Sequence, residues 1–407
     1  MVGNDSATEV RIDTLNDEVM GGVHSLVDAH YRSTVVQKIR SAGGILHAGG
    51  ITIRLAKEFG FCYGVERAID LAYAAREKYP DQPIYILGEI IHNPDVNSQL
   101  KRMGIRFLAG KDKDANMDDL KRDDVVIVPA FGASVATMEL LASKGCRFVD
   151  ATCGYVKSVW KRVQLYVNER FTSIIHGKAW HEETLATSSR ISAEGKGHYL
   201  VIFTLEETDY VCDYILHGGD KKAFLERFKG ACSADFDPDV HLNAIGVANQ
   251  TTMLSNETEE VQQRLFAAMV KKFGEKNIAE HFRKFDTICG ATQQRQNALR
   301  QLLTEPLDLL LVLGGYNSSN TSHLAEMGNA VLPTYFIKGA SELLSVEVIR
   351  HYDLKLKQEV EHRGWLPEKD EMTIGITAGA SCPGNLIEET IKRLCELKGV
   401  SLDFDRL

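Results

Sequence analysis

The chain has 407 residues, of which 44% are hydrophobic and 25% are charged, as in ordinary globular proteins. The net charge is −9, and no stretch of the sequence is rich in basic residues. Both observations argue against a protein that coats nucleic acid. No run of about 18 apolar residues occurs, which excludes a membrane-spanning helix. The acidic start resembles neither a signal peptide nor a transit peptide. We therefore expect a soluble, cytoplasmic protein.

Residues 1–50 are interpreted as an N-terminal extension with a polar start and a helical stretch at 35–39. Beyond residue 50, short apolar runs alternate with amphipathic stretches, which is typical of an α/β fold with largely parallel sheets. The runs that predict strands are 84–87, 125–128, 200–203, 245–247, 309–313 and 372–376. The segment 204–240 is long and polar, and we expect an irregular insertion there.

Three of the eight cysteines share one local context, after a strand-like run and before a helical pattern. They are Cys62, Cys153 and Cys289. A helix N-terminus favours the thiolate, which is the form that binds metal. Three thiolates from three domains suit an iron–sulfur cluster with one open iron. The alternative is that a cysteine is a small buried hydrophobe. We prefer that interpretation for Cys146, Cys212, Cys232, Cys382 and Cys395.

Polar residues follow five strand-like runs, four of those above and a fifth at 173–175. They lie at 92–94, 181–184, 250–252, 317–320 and 377–381. Ligands of open α/β sheets bind beyond the carboxyl ends of the strands, and small hydroxyl residues before a helix form a cradle for an anion. Neither GxxxxGK[ST] nor GxGxxG is present, so a small phosphate or diphosphate ester is a better candidate than a nucleotide.

Each of these residues also has a purely structural interpretation. Ser381 would only cap the last helix, and residues 317–320 would form a simple turn. His92 and His181 would be satisfied loop histidines, and Glu183 would be a solvated carboxylate in a first helical turn. We favour the functional interpretation because these groups occur together, at five strand ends, beside three matched cysteines.

Taken together, the motifs resemble those of the LytB-type 4-hydroxy-3-methylbut-2-enyl diphosphate reductases, in the longer plant and cyanobacterial branch of that family. The resemblance runs in order from about residue 51 to residue 398. It rests on the motifs at 59–65, 91–94, 150–153, 181–183, 250–252, 318–320 and 377–381.

The resemblance implies three α/β domains with pseudo-threefold symmetry around a central 4Fe–4S cluster, preceded by the N-terminal extension. The cluster ligands by motif position are Cys62, Cys153 and Cys289, and the fourth iron stays open to substrate. The implied divisions are an extension at 1–50, a first domain at 51–150 onto which 383–407 could pack back, a second domain at 151–286 that contains the insertion 204–240, and a third domain at 287–382.

The family's reaction is a two-electron reductive dehydration that yields isopentenyl and dimethylallyl diphosphate, the last step of the non-mevalonate isoprenoid pathway. Glu183 matches the proton-delivering carboxylate, with Thr251 beside it to orient the substrate hydroxyl. The implied diphosphate ligands are His92, His181, Thr252, Ser318, Ser319, Asn320 and Ser381. A ferredoxin or flavodoxin is the expected electron donor, and neither nucleic acid nor a membrane is an expected partner.

One position departs from the bacterial pattern. Phe131 stands where many bacterial members have a histidine, and a phenylalanine cannot hydrogen-bond a diphosphate. We therefore leave Phe131 out of the binding set. Because the longer branch tends to carry phenylalanine there, the change does not argue against the activity.

Two other functions remain open at this point. The first is a zinc-dependent hydrolase or lyase, although no HExxH or other close His/Cys pair is present. The second is a non-catalytic regulator that binds a sugar phosphate and keeps its cysteines in the core. The metal content separates both from an iron–sulfur reductase.

Overall fold

The computed structural model describes residues 17–195, 197–285 and 287–401. The predicted polar start of the extension, at 1–16, lies outside these residues. The strands in the described ranges are β1 (Ile45–Ala48), β2 (Ile51–Leu55), β3 (Ile84–Ile86), β4 (Ile105–Phe107), β5 (Val125–Val128), β6 (Arg147–Asp150), β7 (Thr172–His176), β8 (Tyr199–Ile202), β9 (Ile245–Asn249), β10 (Phe282–Lys284), β11 (Leu309–Leu313), β12 (Thr334–Ile337), β13 (Val348–Asp353), β14 (Gln358–Arg363) and β15 (Met372–Ala378).

Helices separate most of these strands. They are α1 (Asp17–Tyr31), α2 (Thr34–Ser41), α3 (Tyr63–Lys78), α4 (Pro94–Arg102), α5 (Val135–Ser143), α6 (Gly154–Asn168), α7 (Glu182–Ile191), α8 (Leu205–His217), α9 (Lys221–Arg227), α10 (Pro238–His241), α11 (Ser255–Phe273), α12 (Ile278–His281), α13 (Gly290–Leu302), α14 (Ser319–Asn329) and α15 (Gly384–Leu397). All six predicted apolar runs form strands, with boundaries within two residues of the prediction. The predicted α/β class is therefore confirmed.

The chain forms two compact units. We call residues 115–289 the central unit, and residues 17–114 with 290–401 the split unit. The expected division into three domains at residues 150 and 286 stays a prediction.

The central unit is built on parallel strands. Four of them lie in the order β10-β9-β7-β8, and every neighbouring pair is parallel. β5 and β6 form a further parallel pair. β7 and β9 are buried at every residue, as expected for strands that helices cover on both faces. Because β7 and β9 run in the same direction, the segments that follow them start at the same edge of the sheet.

The expectation of an irregular segment at 204–240 is wrong, because helices α8, α9 and most of α10 form there. Thr204 and Glu207 form a capping box at the start of α8. Val211 and Ile215 are buried one helical turn apart, and Phe224 of α9 is fully buried in the same core. This segment is therefore part of the hydrophobic core of the central unit.

The split unit contains a five-stranded sheet in the order β1-β2-β15-β11-β12. All neighbours are parallel except β1, which pairs antiparallel with β2 at the edge. The predicted helical stretch at 35–39 is confirmed within α2, and its Val35 and Ile39 belong to the core that includes these strands. Helix α15 packs against α1 and α2. Within the described residues, no helix combines the length and apolarity needed to span a membrane.

Candidate functional site

The three matched cysteines precede helices, as predicted. Cys62 and Cys153 are the N-cap residues of α3 and α6, and Cys289 directly precedes the start of α13. All three are partly exposed and none forms a disulfide. Each of the three cysteines therefore stands at the N-terminal end of a helix, next to the backbone N–H groups of the first turn.

The other five cysteines lie in apolar surroundings. Cys146, Cys382 and Cys395 are buried in the core, as predicted. Cys212 and Cys232 are only partly buried, and both pack against the core of the central unit. Burial raises the pKa of all five thiols, and that of Cys212 to about 12. A raised pKa keeps these thiols protonated and makes them poor metal ligands.

In the split unit, the loop before Cys62 is bonded to the loop after β15. The Cys62 N–H donates to the Ala380 carbonyl over 3.2 Å. The guanidinium of Arg295, which is buried on α13, donates to the carbonyls of Gly60 (2.6 and 3.1 Å) and Phe61 (3.1 Å). These contacts hold the backbone on the N-terminal side of Cys62 in place.

Four of the predicted substrate ligands meet in the split unit. The Ser381 hydroxyl donates to the His92 carbonyl over 3.2 Å and lies 3.4 Å from the Ser318 hydroxyl. Asn320 Oδ1 accepts from the Ala380 N–H over 2.9 Å. The interpretation of Ser381 as only a helix cap is wrong, because the N-cap of α15 is a proline. Ser318 does cap α14, so it has a structural role in addition to its predicted role as a substrate ligand.

Buried polar atoms without hydrogen-bond partners lie nearby in the chain, at the start of α14 and near the end of β15. They include Ser319 Oγ, Asn320 Nδ2 and Thr377 Oγ1. A buried donor without a partner costs about 1–3 kcal/mol. Hydroxyl and amide N–H groups would be satisfied by the oxygens of an anion, so this group of residues has the chemistry of an anion site.

The ring of His92 lies against a carboxylate that the sequence analysis missed. His92 Nδ1 is 2.9 Å from Glu89 Oε2, and the Asn317 amide donates to the same oxygen over 2.6 Å. Burial alone would raise the pKa of Glu89, but the hydrogen bonds from His92 and Asn317 and the charge of Lys111 hold it below its usual value. Glu89 is therefore ionised at neutral pH.

In the central unit, Thr251 joins two of the predicted functional residues. The Glu183 carboxylate accepts from the Thr251 N–H over 2.6 Å and from its hydroxyl over 2.8 Å. The Thr251 carbonyl accepts from the Cys289 N–H over 3.0 Å. Glu183 is only 3% exposed, so its interpretation as a solvated first-turn carboxylate is wrong.

His181 stands at the same edge of the central sheet. It is the N-cap of α7, where its Nδ1 accepts from the Glu183 N–H over 3.2 Å. The ring of Phe131 packs edge-on against it, with 5.9 Å between centroids. Phe131 therefore packs against one of the predicted ligands. Thr252 is partly exposed, and its hydroxyl accepts from the Gln250 side chain over 2.9 Å.

Nine of the twelve predicted site residues thus form two contact groups, one in each unit. The central unit joins His181, Glu183, Thr251 and Cys289, and the split unit joins Cys62, His92, Ser318, Asn320 and Ser381. The sequence analysis missed Glu89 and Arg295 as parts of these groups, and it named Asn317 only within the polar segment 317–320. The spacing of Glu89, three residues before His92, was the available signal.

Comparison with known proteins gives concordant results. The family model described as LytB protein matches residues 53–395. Two curated relatives carry the name 4-hydroxy-3-methylbut-2-enyl diphosphate reductase. That of Gloeobacter violaceus is 49% identical and is aligned over 91% of this chain and 89% of its own length. That of Thermosynechococcus vestitus is 47% identical, with 93% of each chain covered.

Two solved structures are similar in fold. One is a 4-hydroxy-3-methylbut-2-enyl diphosphate reductase described as the terminal enzyme of the non-mevalonate pathway. It is 28% identical, with a TM-score of 0.51 over 84% of this chain and 99% of that one. The reductase from Plasmodium falciparum is 23% identical, with a TM-score of 0.61 over 84% and 87%. This second likeness supports the fold alone.

Proposed function

The chain belongs to the LytB family, and from that premise we propose that it is a 4-hydroxy-3-methylbut-2-enyl diphosphate reductase that forms isopentenyl and dimethylallyl diphosphate. The structural observation that supports this proposal best is the Glu183–Thr251–Cys289 contact chain. It links a buried acid, a hydroxyl and a cysteine at a helix start. A reductive dehydration needs an acid and a redox cofactor close together.

The cofactor of the proposed reaction is a 4Fe–4S cluster held by Cys62, Cys153 and Cys289. The donor set fits such a group, because all three are partly exposed cysteines at helix starts, outside any disulfide. A bound cluster with one open iron would supply electrons and a Lewis acid for the substrate hydroxyl. The proposed external electron donor is a ferredoxin or flavodoxin.

The substrate diphosphate is assigned to hydroxyl, amide and imidazole donors. In the split unit, the donors without partners on Ser319 and Asn320 support this assignment. Ser318 and Ser381 are linked to each other and to the backbone of His92, so these groups are placed before substrate arrives. Preorganised donors lose little entropy when they bind an anion. His181 and Thr252 complete the proposed set from the central unit.

Glu183 is the proposed proton source. The net reaction uses two electrons and two protons, replaces a C–O bond with a C–H bond, and releases the oxygen as water. Protonated Glu183 can pass its proton to the Thr251 hydroxyl, which in turn gives its own proton to the departing oxygen. The second proton goes to either end of the allylic system, which accounts for two products.

The test is the iron and acid-labile sulfide content of protein purified without air. The wild type should hold about four of each per chain, and Cys153→Ser should lose most of both together with reduction of the substrate by a reduced dye. Cys395→Ser is the matched control, because Cys395 is buried within α15. Zinc alone, or no metal after reconstitution with iron and sulfide, would contradict the proposal and favour the hydrolase or the regulator.

A further inference from the structure

The backbone N–H of each matched cysteine donates to a carbonyl in the loop that follows a neighbouring strand. The pairs are Cys62 with Ala380, Cys153 with Ala130 and Cys289 with Thr251, at 3.2, 3.0 and 3.0 Å. The strands before each pair of loops are parallel neighbours, namely β2 with β15, β6 with β5 and β10 with β9. Each cysteine is therefore fastened to the loop after an adjacent strand.

At Cys289, a buried side chain adds to this link. Asn249 ends β9 and is fully buried. Its N–H donates to the Thr287 hydroxyl over 2.9 Å, and that hydroxyl donates to Asn249 Oδ1 over 2.5 Å. Oδ1 also accepts from the Thr287 N–H over 3.3 Å. Thr287, two residues before Cys289, is thus held to β9 by its backbone and by its side chain.

The amide nitrogen of Asn249 bonds the chain on the other side. Its Nδ2 donates to the Gln250 carbonyl over 3.1 Å. The next residue, Thr251, donates its N–H and its hydroxyl to the Glu183 carboxylate. Asn249 therefore bonds both the segment that leads into Cys289 and the segment that leads into Thr251.

An amide is suited to this place because it carries an acceptor and a donor on one short, neutral side chain. The Oδ1 atom accepts two hydrogen bonds from Thr287, and Nδ2 supplies a donor to Gln250. An apolar side chain of similar size would leave those buried groups without these partners, which destabilises the arrangement. The side chain at 249 thus determines whether the two segments stay together.

We infer that Asn249 is a positioning residue that holds Cys289 and the Glu183–Thr251 pair in one fixed arrangement. It acts through Thr287 and through the backbone of Gln250. The inference rests on the proposed function for the roles of these groups, in which Cys289 binds the cofactor and Glu183 protonates the substrate. It adds a residue that keeps the acid and the cofactor ligand at a constant separation.

Substitutions at Thr287 test the inference without disturbing the buried amide. Thr287→Val keeps the branched shape of the side chain and removes the hydroxyl, whereas Thr287→Ser keeps the hydroxyl. In metal-free protein, Cys289 should react with iodoacetamide several-fold faster in Thr287→Val than in the wild type, because its segment opens more readily. Thr287→Ser should react at nearly the wild-type rate. Peptide mass spectrometry measures the rates, with Cys153 of the same unit as the internal reference.

A double substitution shows whether the effect passes through Asn249. Asn249→Ala should also raise the reaction rate of Cys289, and Thr287→Val should add nothing in that background, because the bond between the two residues is already lost. If Asn249→Ala does not fold, the comparison of Thr287→Val with Thr287→Ser decides the test, since both variants keep the amide.

Thr258→Val is the matched control for loss of a buried hydroxyl. The Thr258 hydroxyl lies 2.8 Å from Nδ1 of His176, which ends β7 in the same unit. This variant should lower the thermal unfolding temperature as Thr287→Val does, but it should leave the reaction rate of Cys289 unchanged. A general loss of stability would act equally in both variants.

The loaded enzyme gives a second readout. Thr287→Val should lower kcat for the diphosphate substrate about ten- to a hundredfold with KM nearly unchanged, since small misplacements of reacting groups cost rate rather than binding. Thr287→Ser should restore kcat. The inference would be overturned by an unchanged Cys289 rate or an unchanged kcat in Thr287→Val, or by an equal rise of the Cys289 rate in Thr258→Val. A wild type without iron or reductase activity would instead overturn the proposed function, and the alkylation rates of the metal-free protein would still decide whether Asn249 holds Cys289.

Discussion

Thr251 uses every polar group that it has. Its N–H and hydroxyl bond the Glu183 carboxylate, and its carbonyl accepts from Cys289. These two partners lie far from it in sequence, on either side, and one small residue joins them. A carboxylate with two such donors is fixed in orientation, which is what the transfer of a proton along a defined path requires.

The substitution Glu183→Gln should remove proton delivery and leave the structure intact, because an amide oxygen can still accept from Thr251. We expect turnover to fall by about 10²- to 10⁴-fold, with iron content and thermal unfolding unchanged. Steady-state kinetics with a reduced dye, beside iron analysis, measure both. Glu182→Gln is the control, since the neighbouring side chain is 60% exposed. Retained activity in Glu183→Gln would remove the assigned role.

Motifs at strand ends predicted where Ser318 and Glu183 lie in the fold, and their roles in the site stay predictions. The support of His92 could not be predicted in full. Asn317 reaches Glu89 across more than 200 residues of chain, and no local pattern encodes that contact. The packing of Phe131 on His181 is also a tertiary contact.

Helix α13 begins directly after Cys289, and one of its residues contacts the loop before Cys62. Its Arg295 is 4% exposed and donates to the carbonyls of Gly60, Phe61 and Ala291. The planar guanidinium presents several N–H donors in a fixed arrangement and bonds two consecutive carbonyls here, whereas the freely rotating donors of a lysine ammonium would hold them less rigidly. This helix therefore fixes the backbone conformation from which Cys62 projects.

Replacing Arg295 with glutamine should loosen the Cys62 loop. In metal-free protein, we expect Cys62 to react with iodoacetamide several-fold faster in Arg295→Gln than in the wild type, as followed by peptide mass spectrometry. Arg295→Lys should give an intermediate rate. The control is Arg300→Gln on the same helix, where the arginine makes an exposed bond to Asn297. An unchanged Cys62 rate in Arg295→Gln would show that the loop does not depend on this contact.

Element prediction succeeded for short, fully buried apolar runs and failed for segments with a polar overall composition. The apolar runs at β5 and β11 predicted the observed boundaries. The β13–β14 hairpin was missed because β14 is mostly exposed and polar, and its strands are defined by their mutual hydrogen bonds. The helices at 204–240 had signals in the sequence, a capping box and an apolar face on α8, which the overall polarity of the segment obscured.

The split unit is assembled from two stretches of chain, residues 17–114 and 290–401. In its sheet, β15 lies between β2 and β11 and is parallel to both. Strand β2 therefore meets its parallel neighbour roughly 300 residues later in sequence. Contacts of such long range slow folding, because loop closure precedes any gain from pairing.

Removal of β15 tests whether the first stretch of the split unit depends on this strand for its folded structure. A chain that ends at residue 371 leaves β2 and β11 without their shared neighbour, and we expect residues 17–114 to be cleaved rapidly by trypsin. Limited proteolysis with peptide mapping compares it with the full chain. A chain that ends at residue 397 keeps β15 and α15 and is the control. Equal protection of residues 17–114 in both chains would contradict the expected dependence.

The bond between Cys62 and Ala380 has a consequence for biosynthesis. A ribosome adds about 5–20 residues per second, so the loop of Cys62 leaves the exit tunnel on the order of tens of seconds before its partner is made. Throughout that interval the early thiol is exposed on a nascent chain. The Cys62 loop can therefore reach its final conformation only late in synthesis, after Ala380 has been made, and delivery of the proposed cluster to that conformation comes later still.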